Sequence, residues 1–198
     1  MVSFFASLSV LALFTAAALA QEIPCRPDTP VTFYRIFSAA GRLGPFTGAN
    51  DHMYTTSMDE VNAAFPRYIL ENDCCKVYKN STKPQPPPVG GGFPAPDPYD
   101  LIPLYRLYTP KWEEDHWYTT SKLENDRAVA AGDISEGIVA WIRGAPGCGT
   151  IPMWRFFGDD GSYNGRDHML VTDPSERAGL IAGGRYTEEF IVGYVWPA

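Results

Sequence analysis

The three histidines of this chain all lie in copies of one phrase, in which a Tyr-Arg or Trp-Arg pair precedes an Asp-His pair. A glutamate further along the chain completes each copy, so that arginine, histidine and glutamate recur as a set. The sets are Arg35, His52 and Glu71; Arg106, His116 and Glu136; and Arg155, His168 and Glu189. Such residues could perform acid–base chemistry, or they could hold each repeat together through ion pairs and hydrogen bonds.

The recurrence of the set favours the structural interpretation. An enzyme generally has one site whose groups need individually tuned pKa values, whereas a network needed for folding is expected in every copy. An arginine inside an apolar strand also needs a partner, because an unpaired buried charge is costly. We therefore predict that these nine residues are structural and that the protein is not an enzyme; a hydrolase of unknown type is the second alternative.

Three equivalent histidines could also converge on a threefold axis and bind a metal ion, as in three-histidine zinc sites. The linear spacing gives no support to such a site, because each histidine comes from a different repeat. We expect no metal and no cofactor.

The sets recur with a period of about 50 residues, which indicates one supersecondary unit used three times. Each unit is predicted to contain a strand with the arginine, a strand with the histidine, a short helix and a strand that opens with the glutamate. The helix starts are Ser57-Met58-Asp59-Glu60 and Ser121-Lys122-Leu123-Glu124, which are S-x-x-E capping boxes, and Asp173-Pro174-Ser175-Glu176. The repeats span about 31–80, 101–148 and 150–198.

The fold class that follows is mainly β with short helices. Three strand-strand-helix-strand units protect their sheet edges best when they close on one another. We predict a closed pseudo-threefold, β-trefoil-like arrangement, with a three-bladed propeller-like ring as the alternative.

Several segments are typical of a secreted, extracellular protein. Residues 1–20 are apolar and end in an A-x-A-like site, as a signal peptide does, which leaves 21–198 as a single domain. Asn80 opens an N-glycosylation sequon, and residues 83–100, rich in Pro and Gly, predict a long loop between repeats. We expect no membrane association after signal cleavage.

Four cysteines, an even number, predict two disulfides in a secreted chain. Cys74 and Cys75 are adjacent, and bridge geometry disfavours a bond between neighbours. We therefore expect these two to pair separately with Cys25 and Cys148, in one order or the other.

The motifs Y-R-x-[YF], D-H-[FW]-Y-T-T-S-x-x-E and E-G-I-x-x-[WY]-[IV] resemble the repeat of a secreted family, domain-of-unknown-function family 5648. The resemblance covers nearly the whole mature chain and implies no established activity. Members of that family occur in secreted bacterial and fungal proteins, sometimes beside carbohydrate-active domains, which implies glycan or cell-wall binding.

The connections between the first and second strands differ between the repeats, and variable loops on a constant scaffold usually carry specificity. They contain aromatic and polar residues that could bind a sugar: Trp112, Asp159, Asp160, Tyr163 and Asn164. The formal net charge of −7 argues against nucleic acid as a partner. We predict a secreted, non-catalytic module that binds glycan or cell-wall polysaccharide; the alternative is a structural or protein-interaction module of wall or matrix without a small ligand. The sequence leaves the oligomeric state open.

Overall fold

The computed structural model describes residues 23–39, 50–81, 97–110, 114–159, 161 and 165–198. These residues form a mainly β structure with short helices, as predicted, in the order strand, strand, helix, strand in each repeat. Repeat 1 has β1 (Val31–Ser38), β2 (Asp51–Thr55), α1 (Met58–Ala64) and β3 (Ile69–Val77). Repeat 2 has β4 (Leu101–Thr109), β5 (Asp115–Thr119), α2 (Lys122–Ala131) and β6 (Ile134–Arg143). Repeat 3 has β7 (Ile151–Asp159), β8 (Arg166–Val171), α3 (Pro174–Gly183) and β9 (Tyr186–Val195).

The first strand of each repeat lies between the other two and is antiparallel to both. Repeat 1 forms a sheet of order β2-β1-β3, and repeats 2 and 3 share a sheet of order β5-β4-β6-β9-β7-β8. The halves of the larger sheet pair at Arg143 and Tyr194, and isolated bridges join the end of repeat 1 to Trp141 and Trp196. Within the described residues the two sheets stay open and form no closed barrel.

The third strand of each repeat contains two β-bulges where it pairs with the first strand of the same repeat. In β3 the register against β1 skips Cys74 and Glu71. The corresponding skips fall at Val139 and Glu136 in β6, and at Val192 and Glu189 in β9. A bulge changes the direction in which the side chain of the extra residue projects. The third strands therefore start two or three residues before the glutamates predicted to open them, because pairing resumes beyond the second bulge.

The helices begin at the predicted caps. The hydroxyls of Ser57 and Ser121 accept the backbone N–H groups of Glu60 and Glu124, and Asp173 caps α3 in the same way. In the described part of the chain, no helix is long and apolar enough to cross a membrane.

One central core joins the repeats, and each repeat adds a smaller cluster of its own. The central cluster draws four buried residues from each repeat: Phe33, Tyr54, Cys75, Val77; Leu104, Tyr118, Ala140, Ile142; and Met153, Leu170, Val192, Val195. The smaller cluster of repeat 1 packs Val61 of α1 against Ile36, Met53 and Tyr68. A single repeat thus leaves much of its apolar surface for its neighbours to cover.

The predicted disulfide pairing was wrong. Cys25 and Cys148 bond to each other, with their Cα atoms 5.5 Å apart, and Cys74 and Cys75 are free thiols. Cys74 is the extra residue of a bulge, and Cys75 follows it in the central core; valine and alanine occupy the same positions in repeat 2. The adjacent cysteines serve as small apolar core residues, a common role for buried thiols, which explains why they do not pair with the other two.

Candidate functional site

Each arginine of the repeated set joins a glutamate of its own repeat to a glutamate of another. Arg106 places Nε 2.6 Å from the bulge residue Glu136 and Nη2 2.6 Å from Glu60 of α1. The equivalent pairs are Arg155 with Glu189 (2.6 Å) and Glu124 (3.0 Å), and Arg35 with Glu71 (2.9 Å) and Glu176 (2.8 Å). The three arginines are buried, whereas the glutamates remain partly exposed. These ion pairs link repeat 1 to 2, 2 to 3 and 3 to 1.

The helix glutamates have a role that sequence reasoning missed. The capping-box pattern accounts for Glu60 through contacts inside α1. In the structure its carboxylate instead reaches Arg106 of the next repeat. The S-x-x-E pattern therefore contained a second signal, because the glutamate in the first turn of one repeat's helix also binds the arginine of the next repeat.

Each histidine is held by the aspartate of another repeat. The backbone N–H of His116 donates to Asp51 Oδ1 at 2.8 Å, and its Nδ1 lies 2.6 Å from Asp51 Oδ2. The ring contacts are repeated by His168 with Asp115 (2.5 Å) and by His52 with Asp167 (2.7 Å). The pairs form a closed cycle. The signal for the aspartates was in the sequence, since an aspartate directly precedes every histidine.

Each histidine also contacts an aromatic ring and a glutamate of its own repeat. The ring of Phe37 stacks on His52 with centroids 4.4 Å apart, and Tyr108 and Phe157 lie over the other two histidines. The Nε2 atom of His52 lies 3.4 Å from the bulge residue Glu71, and the other two histidines have the same neighbour. With a carboxylate near each of its ring nitrogens, His52 is better suited to be a buried cation than a base that must meet a substrate.

The electrostatics of the His52–Asp167 pair agree with that assignment. Burial on its own would lower the pKa of His52, but the charge and hydrogen bond of Asp167 raise this pKa to about 9. Burial opposes ionisation of Asp167, yet His52 holds the pKa of this carboxyl below its usual value. Both groups are therefore charged at neutral pH.

The aspartates, and not the histidines, converge. Asp51, Asp115 and Asp167 are buried, and each offers a carboxylate oxygen within 4.8 Å of the other two. Carboxylate oxygens are ligands that hard cations accept. Here both oxygens of each aspartate already bind a backbone N–H and a ring nitrogen of a histidine.

The sequence comparison covers all three Asp-His pairs. Residues 46–196 match the family described as Domain of unknown function (DUF5648). The chain belongs to this family. No curated protein and no solved structure gives a significant match to it.

In this member of the DUF5648 family the three repeats differ in the residue beside the aspartate. The hydroxyl of Tyr68 donates to Asp51, and that of Tyr186 donates to Asp167 at 2.5 Å. The residue at the same place before β6 is Asp133. Burial raises the pKa of Asp115, and the charges of the other two aspartates add to this, although His168 opposes them.

Most of the predicted sugar-binding residues of this DUF5648 protein lie outside the described residues: Trp112, Asp160, Tyr163 and Asn164. Asp159 is described and exposed; it pairs with Arg166 at 3.1 Å and accepts the backbone N–H of Gly161 at 2.8 Å. The joint placement of the predicted set therefore stays a prediction, and the structure describes only the ends of the connections that carry these residues.

Those connections enter β2, β5 and β8 at one end of the molecule. Asp51 and Asp115 are the first residues of β2 and β5, and Asp167 is the second residue of β8. Because their carboxylates converge, the three strands begin side by side. Beside them, Arg67 of repeat 1 reaches Glu114 of repeat 2 at 2.7 Å, which ties the start of β5 to repeat 1.

Proposed function

We propose that this protein is a secreted, non-catalytic module that binds glycan or cell-wall polysaccharide. The observation that supports it best is the convergence of Asp51, Asp115 and Asp167, because it gathers the entries of three different hairpin connections at one end. Variable segments on a rigid scaffold are where binding residues are usually found. The aromatic side chains of Trp112 and Tyr163 belong to two of these connections.

The proposal includes a closed pseudo-threefold arrangement of the repeats. Two series of contacts support closure, because the His–Asp and Arg–Glu pairs each run from repeat 1 to 2, from 2 to 3 and from 3 back to 1. A three-bladed ring fits the open three-stranded unit of each repeat better than the closed barrel of a β-trefoil.

A non-catalytic role is proposed because the chemically capable residues are engaged in structure. Arg106 spans two glutamates of different repeats, and both ring nitrogens of His116 face carboxylates. Groups that are held by equivalent partners in three copies support the fold. The function that we propose for the exposed surface is therefore binding and not catalysis.

Secretion and glycosylation belong to the same proposal. The Cys25–Cys148 bond supports an oxidising compartment, where such bonds persist. Asn80 is exposed, as an N-glycan acceptor must be.

Binding of the purified, secreted chain to a glycan array, and to insoluble chitin, β-glucan and mannan, tests the function. We expect selective retention on at least one polysaccharide. The double variant Trp112→Ala/Tyr163→Ala is expected to lose it, because stacking of sugars on the rings supplies much of the binding energy.

The control is Ile23→Ala/Met58→Ala, which truncates two exposed apolar residues outside the hairpin connections. This variant should bind as the wild type does. If the double variant Trp112→Ala/Tyr163→Ala is still retained on polysaccharide, the glycan site does not lie in the hairpin connections. An absence of retention by the wild type on every glycan would leave the interaction-module alternative.

A further inference from the structure

The three junctions between repeats share their ion pairs but differ in the residues beside them. In β9, Phe190 stands opposite Arg155, and Ile191 follows it. At the same register positions, β6 has Gly137 and Ile138, and β3 has Asn72 and Asp73. The residue before the helix glutamate is Leu123 at the junction of repeats 2 and 3, but Asp59 and Ser175 at the other two. Ile191 has a counterpart in Ile138, but no apolar side chain stands at the positions of Phe190 and Leu123 in the other repeats. Residues required by the repeated fold would recur, so these two have another reason to be present.

Phe190 and Leu123 are exposed, and the aromatic ring is held in place. Phe190 is 42% exposed and Leu123 59%, whereas Ile191 pairs with Trp154 and projects from the opposite face of the sheet. The guanidinium carbon of Arg155 lies 4.3 Å from the centroid of the Phe190 ring, and Arg155 is fixed by ion pairs to Glu124 and Glu189. A ring oriented before a ligand arrives loses little conformational entropy on binding.

Polar acceptors border the ring. Glu124 and Glu189 each keep part of their side chain in solvent while they bind Arg155. An ionised carboxylate has about four lone-pair sites, so both retain capacity for hydroxyl donors. An apolar platform edged by acceptors matches a pyranose, which has an apolar C–H face and a rim of hydroxyl groups.

We propose that the junction formed by Leu123, Glu124, Arg155, Glu189 and Phe190 is a sugar subsite that stacks one neutral pyranose ring of a glycan on Phe190. This inference rests on the proposed function, specifies its ligand class and adds a contact with the glycan besides those proposed in the hairpin connections. Protein partners are disfavoured by size, because a stable interface buries about 800 Å² on each side and this patch has only two apolar side chains, Phe190 and Leu123. Acidic sugars are disfavoured by the carboxylates and by the net charge of −7.

Calorimetric titration with soluble hexasaccharides tests the subsite: cello-, chito- and mannohexaose as neutral probes and a galacturonic acid hexasaccharide as the acidic one. We expect at least one neutral probe to bind and the acidic one to fail. Phe190→Leu should weaken binding about tenfold, because it keeps the apolar volume but removes the ring. Phe190→Trp, which restores a larger ring, should bind at least as well as the wild type.

The matched control is Phe65→Leu, the same substitution at a 67% exposed phenylalanine of repeat 1. It should leave affinity unchanged, and circular dichroism should show all variants folded. Equal affinity of Phe190→Leu and wild type would overturn the subsite and leave the proposed function standing, as would equal losses at both phenylalanines. If the wild type binds none of the neutral probes, the subsite is overturned; retention on the array or on insoluble polysaccharide then decides the proposed function separately.

Discussion

Each junction between repeats has an inner side, formed by the buried ion pairs, and an outer side, formed by the exposed residues beside them. The two sides follow opposite rules. Inside, arginine, glutamate, histidine and aspartate recur with the same kinds of partner at each of the three junctions. Outside, Phe190 of one junction corresponds to a glycine and an asparagine at the other two. The difference teaches that repetition marks what assembles the molecule, whereas asymmetry marks where we propose that a ligand binds. The predictions below test how sharply these two classes separate.

Truncation of an inner aspartate should have the largest effect. Asp51→Ala leaves the backbone N–H of His116 and the hydroxyl of Tyr68 without their acceptor in a buried site. We expect the free energy of unfolding, measured by urea denaturation, to fall by about 3–5 kcal/mol. The exposed Asp159→Ala should cost at most about 1 kcal/mol. If Asp51→Ala and Asp159→Ala lower the free energy of unfolding by similar amounts, the buried aspartates do not differ from exposed ones in their contribution to stability.

A rise in pH should lower the part of the folding stability that the buried His52–Asp167 pair contributes. The pKa of His52 is about 9 in the folded protein against 6.5 for a free side chain. Its contribution is therefore complete below pH 6.5 and is lost as pH rises through 9, at about 1.4 kcal/mol per pKa unit. Denaturation curves across this range should show that slope in the wild type. The variant His52→Gln should lack this part of the slope, and an unchanged slope would assign it to other groups.

The tyrosines beside the aspartates should contribute less. Tyr186→Phe removes the hydroxyl that donates to buried Asp167, and a hydrogen bond to a charged group contributes about 1.5–3 kcal/mol. Tyr34→Phe, on the half-buried side of β1, should change stability by no more than about 0.5 kcal/mol. Chemical denaturation of the two variants in parallel measures the difference. Equal effects would mean that Asp167 does not depend on the tyrosine.

The smallest effect is expected from the two free cysteines. Cys74→Val/Cys75→Ala installs the residues that repeat 2 has at the same bulge, so the cost should stay below about 1.5 kcal/mol, as for other volume-conserving core changes. Thermal unfolding followed by circular dichroism checks this. A loss as large as that of Asp51→Ala would show that the thiols do more than fill the core.

The order of elements could be predicted because its signals are local. Capping residues such as Ser121 lie within one turn of the groups they bind, and the aromatic strand around Arg106 has a composition that β-structure favours. The bulge at Glu136 was not predictable in this way, because it is defined by pairing with β4, some thirty residues earlier in the chain. The disulfide pairing failed for a related reason, since the core position of Cys75 depends on that same kind of bulge in β3.

The sequence by itself determined a mainly β chain with capped helices, an acidic charge, three related repeats and membership of the DUF5648 family. These properties arise from neighbouring residues and from comparison of whole segments. Only the tertiary structure decided which repeat supplies each partner, as when Asp51 binds His116 and not the adjacent His52. The physical reason is that a buried charge takes its partner from whatever packing brings within a few ångströms, and packing between repeats is a property of the assembled core.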